Sequence, residues 1–437
     1  MTTAPKREVL GFGLAFVVAL SFAACSGGST ASVDSGTRDA GGIDSAPDSS
    51  APFDGSAPAD ASPDAGAERL DAEIENDAAG DGGAPRPYVR QLSLGWDYSC
   101  ALAWDGSIHC WGNGTWGQLG DGMARSSLTP TTVSTISDAI QISAGGGMAA
   151  FACAVRADHS VWCWGANGVG MLGFPDASAM PMASRPIAVP SLPSNVLEVA
   201  AGWLHACARR SDGFISCWGY NGAGELGDGT TMARTGPVLS GAHDAIQVAA
   251  GYNHSCAALA RAAQCWGSNT EGQLGLGDGS MAPYVMGLTD AIQLSGYANT
   301  VCALRATGTV ACWGQNDHGQ VGDGTTMTRN APSAALGLSD AIAVVTGDTV
   351  NCALGSGGQI SCWGWNASGE FGDGTTIPSF VPVTVPGIPG AQLLAMGQRH
   401  VCAANEEGVW CWGNNAQGQL GDGTTTDSLV PVRVLVL

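Results

Sequence analysis

From Tyr88 to Leu437 the chain alternates short apolar runs with polar positions, and the runs stop at glycine or aspartate. Unit five shows the pattern most fully. Asp290-Ala291-Ile292-Gln293-Leu294 leads to Cys302-Ala303-Leu304, then to Gly308-Thr309-Val310-Ala311-Cys312-Trp313-Gly314 and Gly319-Gln320-Val321-Gly322-Asp323-Gly324-Thr325. Alternation over a few residues, bounded by turn formers, predicts strands, and no stretch of the unit carries a long helical period. Four strands are expected per unit: the Asp-Ala-Ile-Gln segment, the Cys-Ala-Leu segment, the Val-x-Cys-Trp segment, and a segment after a proline, such as Pro431-Val432-Arg433-Val434. The triplet Cys-Trp-Gly recurs at Cys110, Cys163, Cys217, Cys265, Cys312, Cys362 and Cys411, a spacing of about fifty residues. Seven such units predict an all-β, seven-bladed β-propeller with four-stranded blades.

The chain enters within a repeat at Val89-Arg90-Gln91-Leu92 and leaves on the post-proline strand, Val430 to Val434. An open ring would present a bare sheet edge, so the N- and C-terminal segments are expected to close it by a shared blade, the last strand completing the first. Each unit also holds one cysteine pair: Cys100/Cys110, Cys153/Cys163, Cys207/Cys217, Cys256/Cys265, Cys302/Cys312, Cys352/Cys362 and Cys402/Cys411. Asp105-Gly106 at a hairpin tip sets the first pair face to face, within disulfide reach. Seven disulfides inside the blades follow if the chain is exported. Zinc would need four ligands in one place, and these pairs lie on different blades.

The motifs Cys-Ala-Leu, Trp-Gly-x-Asn and Gly-Gln-Leu-Gly-Asp-Gly-Thr together resemble the regulator-of-chromosome-condensation repeat family, over about Tyr88 to Leu437. The resemblance implies the same propeller, and the paired cysteines look like those of its exported bacterial members. Unit two departs most: Gly173-Phe174-Pro175 replaces Gly-Asp-Gly, and a proline-rich insertion runs to Pro193. Guanine-nucleotide exchange, known for the nuclear member, is disfavoured by export and acidity, and no exchange residues carry over.

Ahead of the repeats, Lys6 and Arg7 precede an apolar stretch from Val9 to Leu20 and then Phe22-Ala23-Ala24-Cys25. This reads as a signal peptide over residues 1–24. The last four residues resemble a bacterial lipobox, which makes Cys25 the expected lipidation site; it is also the odd one among 15 cysteines. Residues 25–87 are rich in Ser, Ala, Asp, Gly and Pro, with thirteen acids against Arg38, Arg69 and Arg86. Such a composition predicts a disordered, self-repelling tether. The expected location is therefore the bacterial cell envelope, lipid-anchored in the outer membrane or at the surface of a diderm cell.

Charge narrows function further. The 38 acids outnumber 17 bases for a net charge of -21, and Lys6 is the only lysine, so a nucleic-acid partner is excluded. Catalytic candidates are thin. His205, His254 and His400 stand two residues before a cysteine, a place the repeat itself sets. Asp228, Asp323, Asp373 and Asp422 sit in Gly-Asp-Gly-Thr turns, with Asp121 and Asp278 in near copies, where turn chemistry accounts for them. No catalytic residue, cofactor or metal site is assigned. Aromatics at variable loop positions stand out instead. Trp96, Trp203, Tyr252 and Tyr297 follow the first strand of units one, three, four and five, and Trp116, Tyr220 and Trp365 follow the third strand of units one, three and six. Both loop types should share one end of a meandering blade, where rigidly held aromatics act as binding anchors or pack as half-buried loop residues. The reading is a monomeric, non-enzymatic binding module, with a protein partner bearing basic surface favoured over polysaccharide. A structural or adhesive surface protein is the first alternative, and an enzyme acting on extracellular or cell-wall polysaccharide the second.

Overall fold

The computed structural model describes residues 88–175, 179–277, 283–386 and 388–437. The expected signal peptide (residues 1–24), the expected lipidation site Cys25, the expected tether (residues 25–87) and Asp278 lie outside the described residues. Seven antiparallel sheets follow one another along the chain, and strand order within each is chain order. The architecture is the expected seven-bladed propeller. Among the described residues no helix is long and apolar enough to cross a membrane.

The first strand of each blade (Gln91–Leu94 in blade one, Ala139–Gly145 in blade two, Val196–Ala201 in blade three) lines a central channel of about 350 Å³. The second strand, such as Tyr98–Leu102, is buried along its whole length between neighbouring blades. Cysteines of the second and third strands face each other directly, and all seven expected disulfides form, with Cα atoms 4.0–4.1 Å apart.

Two repeat residues join blade to blade. The glutamine of the first strand reads the backbone of the next blade with both amide atoms: Gln91 Nε2 donates to Ile142 O (3.1 Å) and its Oε1 accepts from Ile142 N (3.0 Å). Gln141 does the same to Val199, and Gln247 to Leu294. The tryptophan of Cys-Trp-Gly packs into the seam and donates its indole N–H to a loop carbonyl of the preceding blade, as in Trp164 to Gln118 O at 2.8 Å. Glycine follows that loop for a steric reason. A Cβ on Gly421 would lie 2.7 Å from Trp111 Nε1, and its φ of +70° is one that side chains disfavour.

Ring closure differs from the expectation. The last strand, Ser428–Arg433, pairs with the third strand of its own blade, and blade one is complete with its own fourth strand, Ser127–Thr132. Among the described residues no strand is exchanged between blades. The seam between blades seven and one closes as the others do: Trp111 Nε1 donates to Gln419 O (2.9 Å), Ser99 Oγ to the same carbonyl (2.8 Å), and Gly423 N to Leu128 O (3.0 Å). Whole blades with apolar side faces already cover each other, so strand exchange is not needed to remove an open end.

Blade four is the exception to four strands. Among the described residues it has three, and its outer edge shows one bridge, between Gln264 and Tyr284. Proline explains it. In other blades the fourth-strand proline precedes the residue opposite the cysteine, as Pro382 precedes Val383 opposite Cys362. There its missing N–H faces outward and blunts the exposed edge. In blade four the bridge sets Pro283 itself opposite Cys265, at the position whose N–H should complete the ladder. Trp266 is correspondingly half-buried, whereas its six equivalents are fully buried.

Candidate binding face

The loop after the first strand and the loop after the third strand do share one end of the propeller. Asn113 N donates to Asp97 O (3.0 Å), Tyr220 N to Leu204 O (2.9 Å) and Trp365 N to Thr349 O (2.8 Å), each tying one loop type to the other. Adjacent first loops are also linked: Gly146 N to Gly202 O (2.7 Å), Trp203 N to Gly251 O (3.1 Å), Tyr252 N to Ala298 O (3.2 Å) and Asp348 N to Gln398 O (3.2 Å). The centre of this end is a cross-linked platform.

Four of the seven aromatics converge on it. Trp203 and Tyr252 stack with ring centroids 4.8 Å apart, Trp96 and Tyr252 stack at 6.3 Å, and Tyr297 tilts against Tyr252 at 5.7 Å. All four are half-buried. Blade two makes room with glycine: a Cβ on Gly147 would fall 1.6 Å from Trp203 Nε1. The other three do not join. Trp116, Tyr220 and Trp365 are 37–40% exposed on the surrounding rim, and Trp365 packs edge-on against His318 at 5.1 Å.

Two carboxylates accompany the cluster, and sequence reasoning did not single them out. Asp97 follows Trp96; burial raises its pKa, while Asn113 Nδ2 donates to one of its oxygens at 2.7 Å. Its other oxygen, Oδ1, is buried without a partner. Asp348 stands where sister blades carry an aromatic, and accepts from Gln398 Nε2 at 3.3 Å. The Tyr252 hydroxyl is pushed well up, by burial first and by Asp348 next. Tyr297 Oη and Trp203 Nε1 are likewise buried without partners. The departure Gly347-Asp348 was visible as a missing aromatic, but nothing in the repeat showed that Asp348 faces Tyr252.

The residues that resembled catalytic groups belong to the frame. His205 and His400 sit in seams, their Nε2 atoms 2.9 Å from Ser255 Oγ and 2.8 Å from Ser99 Oγ. Burial lowers His205 and His400 to about 3 and His254 to about 4, so all three are neutral at physiological pH. Asp228 and Asp323 accept from the Thr two residues on and from Arg234 and Arg329. Asn221 threads the same loop, accepting from Leu226 N and donating to Thr230 O and Met232 O. Among the described residues, no group of three or more His, Cys, Asp or Glu could hold a metal ion.

The profile of the RCC1-like domain matches residues 137–437, and that of the regulator of chromosome condensation (RCC1) repeat matches residues 105–152. The chain belongs to the RCC1-like domain family. Among RCC1-like relatives it is 30% identical to the ultraviolet-B receptor UVR8 of Arabidopsis thaliana over 200 residues, 44% of this chain and 43% of that one. It is also 30% identical to the E3 ubiquitin-protein ligase HERC2 of Homo sapiens over 194 residues, 43% of this chain and 4% of that one. The matched stretch thus spans less than half of either relative. In structure it is similar to Prp20p of Saccharomyces cerevisiae, with a TM-score of 0.66 at 22% identity, covering 77% of this chain and 87% of that one. A likeness at that identity concerns the fold.

Proposed function

We propose that this chain is an exported, lipid-anchored envelope protein whose propeller is a non-enzymatic, protein-binding module. The observation that carries the reading is the convergence of Trp96, Trp203, Tyr252 and Tyr297, from four different blades, on one cross-linked platform. Blade packing does not require these residues, because sister blades place Asp348 or Gln398 at the same point. Large, rigid, amphipathic rings at the centre of a broad face are the usual anchors of a protein interface. Prp20p, which shares the fold, binds Gsp1p and histones. The seven disulfides support an extracellular setting, and Cys25 and the acidic stretch of residues 25–87 support an anchor on a tether.

The test compares two double variants of the exported chain as bait for envelope proteins. Trp96→Ala with Trp203→Ala should lose the retained partner, since truncating central anchors costs about 2 kcal/mol or more each. Asp105→Ala with Asp212→Ala, at hairpin tips on the opposite end, should keep it. The reverse pattern would put the interface on the other face, and early melting of the aromatic double alone would make those rings packing residues.

A further inference from the structure

The centre of the face holds more than rings. Tyr297 Oη, Trp203 Nε1 and Asp97 Oδ1 are three buried polar atoms without hydrogen-bond partners at one place in the fold. Buried polar atoms are nearly always paired, so a group of three unpaired ones marks a site shaped for something else. Asp97 directly follows Trp96, Asp348 is tied to Gln398 in the adjacent first loop, and both carboxylates lie within electrostatic reach of the Tyr297 hydroxyl. Arg399 lies within electrostatic reach of Tyr252, is exposed, and forms no ion pair with either acid among the described residues.

Ring faces attract cations, and a carboxylate oxygen and a phenol oxygen accept from N–H donors. A planar guanidinium meets both demands, lying on an indole or phenol face while its edge donates to the acids. The Trp203 ring stacked on Tyr252 belongs to such a face, while its N–H is turned into the contact with Gly147. We propose that the centre of this face receives one arginine side chain presented by a partner polypeptide. The proposal rests on the binding-face reading and names the chemistry that face selects.

The probe is a blocked peptide, acetyl-Gly-Gly-Arg-Gly-Gly-amide, titrated against the full exported chain and followed by saturation-transfer NMR. The comparator carries citrulline, which keeps the planar shape and loses the charge. We expect the arginine peptide to bind about tenfold more tightly than the citrulline peptide, the range of a partly desolvated cation–π contact reinforced by a carboxylate. Asp97→Asn with Asp348→Asn should abolish that difference, and Trp203→Ala should abolish binding. Arg399→Ala should tighten it by removing a competing cation. Asp105→Asn at the opposite end should leave the titration unchanged, which controls for net charge. Equal binding of the two peptides, or no loss in the Asp97/Asp348 double variant, overturns the proposal. If neither peptide binds while envelope capture still depends on Trp96 and Trp203, the arginine chemistry is wrong and the binding face stands. If capture ignores those tryptophans, the binding face itself is wrong.

Discussion

Closure without strand exchange makes a quantitative claim about one residue, Trp111. Its indole is fully buried in the seam between blades seven and one and donates to Gln419 O at 2.9 Å. Trp111→Phe keeps most of the ring, so its cost falls below the about 3–5 kcal/mol of truncation to Ala, and the lost hydrogen bond accounts for about 1 kcal/mol of what remains. Gln419 O is not orphaned, because Ser99 Oγ still donates to it at 2.8 Å. The matched change is Trp164→Phe between blades one and two. There the acceptor, Gln118 O, has no second donor among the described residues. An unsatisfied buried carbonyl adds about 1–2 kcal/mol. We therefore expect about 2 kcal/mol for Trp111→Phe and measurably more for Trp164→Phe, read as guanidinium midpoints with disulfides intact. If blade one instead borrowed its closing strand from the C-terminus, the seven–one seam would be the special one. A cost for Trp111→Phe equal to or above that of Trp164→Phe, or a separate early transition confined to blade one, would refute equivalent seams.

Three further outcomes are expected. Labelled palmitate should enter the wild-type chain and not Cys25→Ser, which should leave the membrane fraction; equal labelling of both removes the anchor. Mass mapping without reduction should find all fourteen repeat cysteines paired within their own blades, and any link between blades would contradict the register. His205, His254 and His400 are neutral when folded, with pKa values lowered to about 3 to 4 by burial, while the unfolded chain takes up protons near the ordinary value of 6.5. The stability they hold is thus fully present above pH 6.5 and declines as pH falls toward 4, so a melting temperature lower at pH 4.5 than at pH 7 in wild type, with a smaller drop in His400→Gln, is the expected signature.

How much of this was legible depends on which side chains act locally. The Gly-Asp-Gly-Thr turns and the cysteine pairs are contacts between residues close in sequence, and the repeat displayed both. The recurrence of Cys-Trp-Gly marked the tryptophan as a fixed part of every unit. The glutamine of Asp-Ala-Ile-Gln was written into the repeat but gave no sign that it clasps the next blade, because its partner lies 47–58 residues away. Closure failed for a related reason: a sequence shows where repeats begin and end, and the choice between a shared blade and a packed seam is made by side faces distant along the chain. The aromatic platform was half legible. Variable loop aromatics marked an end of the propeller, yet only geometry separates the four that meet over the axis from Trp116, Tyr220 and Trp365 on the rim.

Blade four shows how small a sequence change undoes a repeat element. Val285 N still donates to Ala263 O at 2.8 Å, so the described segment is in register, and within it the donor opposite Cys265 is missing. The shift of proline by one residue therefore removes an inward hydrogen bond and at the same time uncovers the outward edge that proline blunts elsewhere. Pro283→Val restores the N–H. One ladder bond contributes about 1 kcal/mol, and loss of proline from the unfolded chain subtracts about 0.4–1 kcal/mol, so the melting temperature should barely move. Local readouts should move instead. The restored amide at position 283 should be protected against hydrogen exchange and that of Val285 should gain protection, and Trp266 should become less accessible to an aqueous quencher, approaching its six buried equivalents. A Pro283→Val chain with Trp266 as accessible as before, and with no gain in amide protection, would show that something other than the misplaced proline keeps the fourth strand from forming.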